Sequence, residues 1–534
     1  MNWSNINFLD LPNEILFIIL KKLDNMDVLY SLLNVDNQRL DMVVQEKMFT
    51  ENLNFIITTS TGEIFPIADN IIDRFCKNIL PRINNNIKSL ILESGSMERI
   101  LLAANYANLT EIKLFNFTDK IFSRYFKVNS PFHRIFPQQI TDLILVYKQS
   151  HHIFSMEQYT NELHKNIFNF FKNLQHLSLN ESCLFLSFRN LSLRTCSSSN
   201  LKKLCIAVKR FDDCLALLDG RLKELTTFIL DICTVNDNIS AVYNMDDLPN
   251  LKCFSLICDC SGKQYDSKIV PLLRRMFNLE ELTLNIIIEN RTRFIDGTHL
   301  KNEVFARMPW LYKFTFHIST ETKLQHLVHG LSSDDIQQTF SNIGYKQVAC
   351  IINHCYTNAD CHVFSLPPVF DTLHSIGNTF PSIVFSYVTF LLIHDDVPFK
   401  HEFFLQVAKF FPSLKRLNVL NIKSESQISD NIASTDNQLS SIVEYPHLIS
   451  LHLGLSHTDY YEQFLNNTRT HLPRLTQLKV NYTRLTFVTE NFTRDATRLN
   501  CTNVKRLLIR EQLVHSKDFY IYFPVVTSFL HPLD

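Results

Sequence analysis

The chain moves between short amphipathic stretches and apolar runs of fixed internal spacing. Residues 9–29, LDLPNEILFIILKKLDNMDVL, carry the first helix signal. Pro12, after Leu11, suits a first helical turn, where its missing N–H costs nothing. Glu14 meets the positive end of the helix dipole, and Ile15, Leu16, Ile19, Leu20 and Leu23 line one apolar stripe. A second helix is predicted from an N-cap at Asp27, burying Val28, Leu29, Leu32 and Leu33. A third is predicted near Asn37, with Leu40, Val43 and Val44 inside. Three helices this short bury too little surface to stand securely alone, so the unit is expected to lean on a neighbour.

Beyond residue 86 a second pattern takes over, L-x-x-L-x-L with aliphatic or Phe substitutes. It reads IKSLIL (87–92), LTEIKL (109–114), ITDLIL (140–145), LQHLSL (174–179), LKKLCI (201–206), LKCFSL (251–256), LEELTL (279–284) and LYKFTF (311–316). It returns as LKRLNV (414–419), LISLHL (448–453), LTQLKV (475–480) and VKRLLI (504–509), with a further copy in LKELTTFIL (222–230). The copies recur at roughly 20 to 35 residues, the range of a leucine-rich repeat. Amphipathic stretches such as HEFFLQVAKFF precede several copies. Helix, turn and strand in repetition predict parallel strands inside and helices outside, stacked as a solenoid. An ordinary open α/β sheet is the alternative, disfavoured because no glycine-rich switch-point loop is present. Between 317 and 383 the repeat lapses. SSDDIQQTF reads as a helix there, and QVACIINHC with CHVFSLPPVF as strands closed by a Tyr356–Asp360 turn. Such an insertion either binds a partner or splints the array.

Composition limits the function classes. The 534 residues are 46% hydrophobic and carry a net charge of −1, so no bulk field draws nucleic acid or anionic lipid. No apolar run reaches the roughly 18 residues of a membrane span, and no signal peptide is evident. Thirteen scattered cysteines fit reduced thiols in the cytoplasm or nucleus. The N-x-S/T triplets, such as Asn180-Glu-Ser and Asn491-Phe-Thr, then reflect composition. With nine glycines there is no G-x-G-x-x-G, P-loop or G-x-S-x-G. HEFFL (401–405) places Leu405 where a zinc protease needs its second histidine. These absences argue against an enzyme, and no cofactor is expected.

NHCYTNADCH (353–362) is the one metal-like cluster, with His354, Cys355, Cys361 and His362. A hairpin of 351–355 against 361–366 sets Cys355 facing Cys361 and His354 facing His362, on opposite faces, which spoils a zinc site. Half-buried thiols are the reading adopted, and Cys253, Cys258 and Cys260 read as fillers of core gaps. No metal is expected.

Residues 9–44 resemble an F-box, with the L-P-x-E-I start, an apolar first helix, the D-V-L second helix and an apolar third. With the later repeats, the chain resembles the F-box/leucine-rich-repeat family. Two departures stand out: Arg39-Leu40 occupies the neighbourhood of a common third-helix tryptophan, and no regular Asn ladder follows the last leucine of each repeat. The resemblance implies an F-box at 1–48, a solenoid at 49–320 and 384–534, and the insertion at 321–383. It implies docking of Leu11, Pro12, Glu14, Ile15, Leu16, Ile19, Leu20, Val28 and Leu29 to a Skp-type adaptor, and through it to a cullin scaffold. The chain would then be the substrate-recognition subunit of an SCF-type ubiquitin ligase. The alternative is a repeat scaffold or inhibitor with no ligase role. Alternation turns the third and fifth positions of each repeat outward. In the last four repeats Arg416, Asn418, His452, Gln477, Lys479, Asn481, Arg506 and Arg510 form the substrate-binding candidates, suited to an acidic group on a protein partner.

Overall fold

The computed structural model describes residues 8–59, 63–126, 130, 132, 137–147, 167, 170–180, 200–220, 222–235, 247–327, 331–424, 441–509, 517–526 and 528–530. The chain divides into two compact units, one of Met1–Cys258, Leu272–Leu282 and Met308–Tyr312, the other of Asp259–Pro271, Thr283–Arg307 and Lys313–Asp534.

The first unit opens with helices α1 (Asn13–Leu20), α2 (Asn25–Leu32), α3 (Gln38–Val44) and α4 (Lys47–Thr50). Pro12 precedes α1 in an extended conformation, as its fixed φ favours. The second helix starts earlier than expected. Asp24, not Asp27, is its cap, accepting from the Met26 N–H at 2.8 Å, because Asp24 alone has the extended backbone that aims its carboxylate at the helix. Asn37 caps α3 as expected. The neighbour these helices lean on is the segment that follows. Tyr30 stacks on Phe75 at 6.4 Å, with the Arg74 guanidinium 4.9 Å from the Tyr30 ring centre, and Asn86 donates to the Gln45 carbonyl.

Strands then follow in chain order: β1 (Asn52–Asn54), a ribbon of β2 (Ile56–Thr58) and β3 (Ile64–Pro66), β4 (Ser89–Glu93), β5 (Glu111–Phe117), β6 (Asp142–Tyr147), β7 (His176–Asn180), β8 (Lys203–Arg210), β9 (Thr227–Thr234) and β10 (Cys253–Ser261). Apart from the antiparallel ribbon, neighbours pair in parallel, β1 with β4 and then in sequence to β10. Every L-x-x-L-x-L copy in this stretch enters its strand at the third position. Fourth positions stack as Leu90, Ile112, Leu143, Leu177 and Leu204, and sixth positions as Leu92, Leu114, Leu145, Leu179 and Ile206. First positions, including Ile87, Leu109, Ile140, Leu174 and Leu201, are buried just before the strand. Each fully buried leucine contributes roughly 1.5–3 kcal/mol, so three stacked columns supply the main cohesive force.

The turns before the strands are closed by two repeating devices. One carbonyl accepts two successive N–H groups of the next copy: Thr110 O serves Thr141 and Asp142, and Lys202 O serves Thr226 and Thr227. Asparagine immediately before the first leucine then donates its amide to a carbonyl of the preceding turn, Asn108 to Asn85, Asn173 to Gln138, Asn200 to Lys172, Asn250 to Lys223 and Asn278 to Pro249. The expected absence of an Asn ladder after the last leucine is therefore met by one placed before the first.

In the second unit β11 (Glu281–Arg291) neighbours β12 (Lys313–Lys323), and β12 is followed in the sheet by an antiparallel hairpin of β13 (Val348–Cys355) and β14 (Asn358–Ser365), with β14 next to β12. The predicted helix is present at Ser333–Ser341, closed by a Ser332–Asp335 capping box. A Cβ on Gly297 would lie 2.5 Å from the Thr339 carbonyl, so only glycine permits this helix to approach so closely. A second sheet follows: β15 (Thr372–Ile376), β16 (Phe390–His394), β17 (Arg416–Leu420), β19 (Ser450–His452), β21 (Gln477–Val480), β22 (Arg506–Ile509) and β23 (Ser528–Leu530), all parallel and in that order. Short β18 (Val443–Glu444) pairs with β20 (Thr470–His471) beside it. Leu373, Leu391, Leu417, Leu451, Leu478 and Leu507 stack in one column. Helices His401–Phe410 and Thr458–Leu465 pack Phe403, Phe404, Val407, Tyr460 and Phe464 into the same core. No helix among the described residues is long and apolar enough to cross a membrane.

Candidate interaction surfaces and the buried histidine–cysteine cluster

The α1 stripe is split between two environments. Leu16, Leu20, Val28 and Leu29 are buried, and Leu11 is half-buried. Pro12, Glu14, Ile15 and Ile19 stay exposed, Ile15 at 41% and Ile19 at 39%. Ile18, outside the predicted stripe, is the most exposed large hydrophobic residue of the helix at 59%, and Leu23 just beyond it reaches 54%. The signal for Ile18 was its place three residues after Ile15, on the same helical surface. Three large aliphatic side chains of a helix whose other side is core, and Leu23 just after it, thus face solvent.

Arg39, in the neighbourhood of the missing tryptophan, holds the entry to this helix. Its Nε donates to Asn13 Oδ1 at 2.9 Å, Nη1 to the Leu9 carbonyl at 2.6 Å, and Nη2 to the Leu11 carbonyl. A planar fork with several donors can tie three acceptors, where an indole has one.

The second surface is the outward side of the β15–β22 strands. Arg416 and Arg506 are exposed, and Asn418, His452, Gln477 and Lys479 are half-buried. Register places Arg416, Ser450, Gln477 and Arg506 in one row, and Asn418, His452 and Lys479 in the next. Lys479 therefore lies opposite Leu508 and only diagonal to Arg506. Asn481 is committed elsewhere: its Oδ1 caps the Tyr482–Val488 helix, accepting from the Arg484 N–H at 3.1 Å. Arg510 lies outside the described residues.

The hairpin differs from its expected register. The turn is only Tyr356-Thr357, with Tyr356 at φ +51°, so Cys355 opposes Asn358, Ile352 opposes Cys361 and Ile351 opposes His362. The shift follows from β14 starting at Asn358, which shortens the loop by three residues relative to the expected turn ending at Asp360. Cys361 Sγ instead lies 3.6 Å from Cys350 Sγ, and both are buried; this thiol contact and burial hold the Cys361 proton on. Cys355 Sγ sits 3.3 Å from His394 Nε2 and 3.6 Å from Asp396 Oδ1. Burial and then the Asp396 carboxylate push that thiol up to about 12, the opposite of an activated nucleophile. Cys258 and Cys260 are buried, and Cys253 is half-buried.

His362 is fully buried, with Nδ1 3.4 Å from His317 Nε2, and His317 Nδ1 lies 2.9 Å from Asn285 Oδ1. Burial pushes His362 down to about 3 and His317 well below its ordinary range, so both rings are neutral. On the same face Glu321 stands directly opposite Asp360. Burial, followed by the Glu321 and Glu289 charges, pushes Asp360 up to about 7, partly countered by a hydrogen bond from Ser375. Among the described residues no group of three or more His, Cys, Asp or Glu is arranged to hold a metal ion. No protein-family model matches the chain, and no curated protein matches it.

Proposed function

We propose that the chain is the substrate-recognition subunit of an SCF-type ubiquitin ligase. In this reading residues 1–48 are an F-box, and the leucine columns belong to an irregular leucine-rich-repeat solenoid interrupted at 321–383. The observation that carries the reading is the exposed Ile15, Ile18, Ile19 and Leu23 surface, backed by buried Leu16 and Leu20. A helix that leaves so much aliphatic surface in water suits a helix-on-helix interface, here with a Skp-type adaptor that leads to a cullin scaffold. The protein itself makes and breaks no covalent bond; it binds a protein substrate on the outward strand rows, in the cytoplasm or nucleus.

The test uses exposed positions so that folding is spared. Ile15→Asp combined with Ile19→Asp abolishes capture of a purified Skp-type adaptor, while the circular dichroism spectrum and melting of the full chain stay as in the wild type. Capture undiminished by the double substitution rejects the ligase reading and leaves a repeat scaffold or inhibitor.

A further inference from the structure

On the second sheet, cations stand singly along a neutral row. Arg416 and Arg506 bracket Ser450 and Gln477 on adjacent strands, in a row that continues to Phe390 on one side and Ser528 on the other. Among the described residues neither arginine, nor Lys479 one row away, forms an ion pair. Arg416 is also held in place, its guanidinium lying 5.0 Å from the centre of the Phe390 ring. A stacked fork has lost part of its rotamer freedom already, so binding an anion orders it less.

Three strand steps separate the two arginines, about 14 Å at about 4.8 Å per step. An extended chain advances about 3.3–3.6 Å per residue, so about four residues cover that span. We propose that this face docks an extended peptide that crosses the strands and carries Asp or Glu side chains about four residues apart, one on Arg416 and one on Arg506. The side chains between them pass over Ser450 and Gln477, and His452 and Lys479 flank the path. Carboxylates, not phosphates, match the row: each cation stands apart along it, and a guanidinium fork donates two hydrogen bonds to one planar carboxylate. The inference rests on the reading of this face as the substrate reader and deepens it by naming the substrate class.

The experiment presents the purified full chain to immobilised Ser/Thr/Asn host peptides carrying two Glu residues at spacings of two, four or six. At exposed sites each ion pair adds little, so the matched spacing is retained about threefold to tenfold better than the others, and the preference fades with added salt. Arg416→Glu with Arg506→Glu loses that preference and instead retains the same host bearing two Lys at the same spacing. No spacing preference in the wild type, no switch to lysine in the variant, or retention only of phosphoserine peptides each overturns the proposal. Adaptor capture measured on the same preparations reports separately on the ligase reading, so the two failures are told apart.

Discussion

Outward-facing strand positions meet two fates in the second unit. On β17–β22 they remain at the surface, as Arg416, Asn418, Lys479 and Arg506 show. On β12 and β14 the same kind of position is covered: His317, Ser319, His362 and Phe364 are buried, and Glu321 and Asp360 are half-buried. The hairpin makes the difference. Its two strands bring Ala349 and Ile351 of β13 and Phe364 of β14 into the core of the second sheet, where Phe364 meets Phe370 at 5.4 Å and Phe385 at 5.6 Å. Polar residues kept at the surface stay solvated and open to contact; once covered, the ionisable ones become groups whose protonation is tied to folding.

The largest expected effect breaks the comparison at its covered end. Phe364→Ala leaves a cavity between two apolar surfaces and destabilises the second unit by about 3–5 kcal/mol. The hydrogen exchange of β13 and β14 amides speeds up accordingly. Phe390→Ala, on the open face and half-buried, costs less than about 1 kcal/mol. Equal losses at the two sites would show that the hairpin face is not a shared core.

The second effect is electrostatic. Asp360 titrates near 7 in the fold against an ordinary 3.8, so the folded state binds the extra proton. Its relative contribution is therefore fully present below about pH 4 and is lost as pH rises to about 7. Asp360→Asn keeps the shape and removes the ionisation, raising stability on the order of 2–4 kcal/mol at pH 8 and by little at pH 4. His362 acts with the opposite sign: pushed down to about 3, it holds stability above its ordinary 6.5 and loses it on acidification. Urea midpoints of both proteins across pH 4–8 isolate the carboxylate, because the histidines are common to the pair. A pH-independent difference would show that neither burial nor the Glu321 and Glu289 charges raise Asp360 in the fold.

Much of the ladder was legible because each copy states its own burial: one leucine before the strand and two within it, at fixed offsets. LKKLCI and LTQLKV lie in different units yet place their apolar residues alike. The start of α2 was misplaced because Asp24 and Asp27 are chemically equal caps, and only backbone conformation separates them. The hairpin register is not legible because both faces of β13 and β14 are largely buried, so alternation does not choose between a two-residue and a five-residue turn, while the three-residue shift in pairing turns one strand's faces over and rearranges the thiols. Burial of His317 and His362 had no local signal, since alternation assigns a face without saying what covers it. The Asn108, Asn173, Asn250 and Asn278 turn ladder stands one residue before each motif, outside the leucine positions whose spacing predicts the strands.

The smallest effect sharpens the comparison with one residue type on both faces. Asn285 Oδ1 receives the His317 ring at 2.9 Å on the covered side, whereas Asn418 lies in the open row between Leu392 and His452. Truncating Asn285 to alanine strands a buried ring nitrogen, which leaves it short of a partner and costs about 1–2 kcal/mol. Truncating Asn418 exposes only groups that water can satisfy, so stability stays within about 0.5 kcal/mol of the wild type. The two substitutions delete the same atoms, so side-chain entropy and helix or strand propensity largely cancel between them. What remains in the difference of urea midpoints is the environment. A larger loss at Asn418 than at Asn285 would mean that the open row is itself covered in the folded chain, and the substrate face would have to be sought elsewhere.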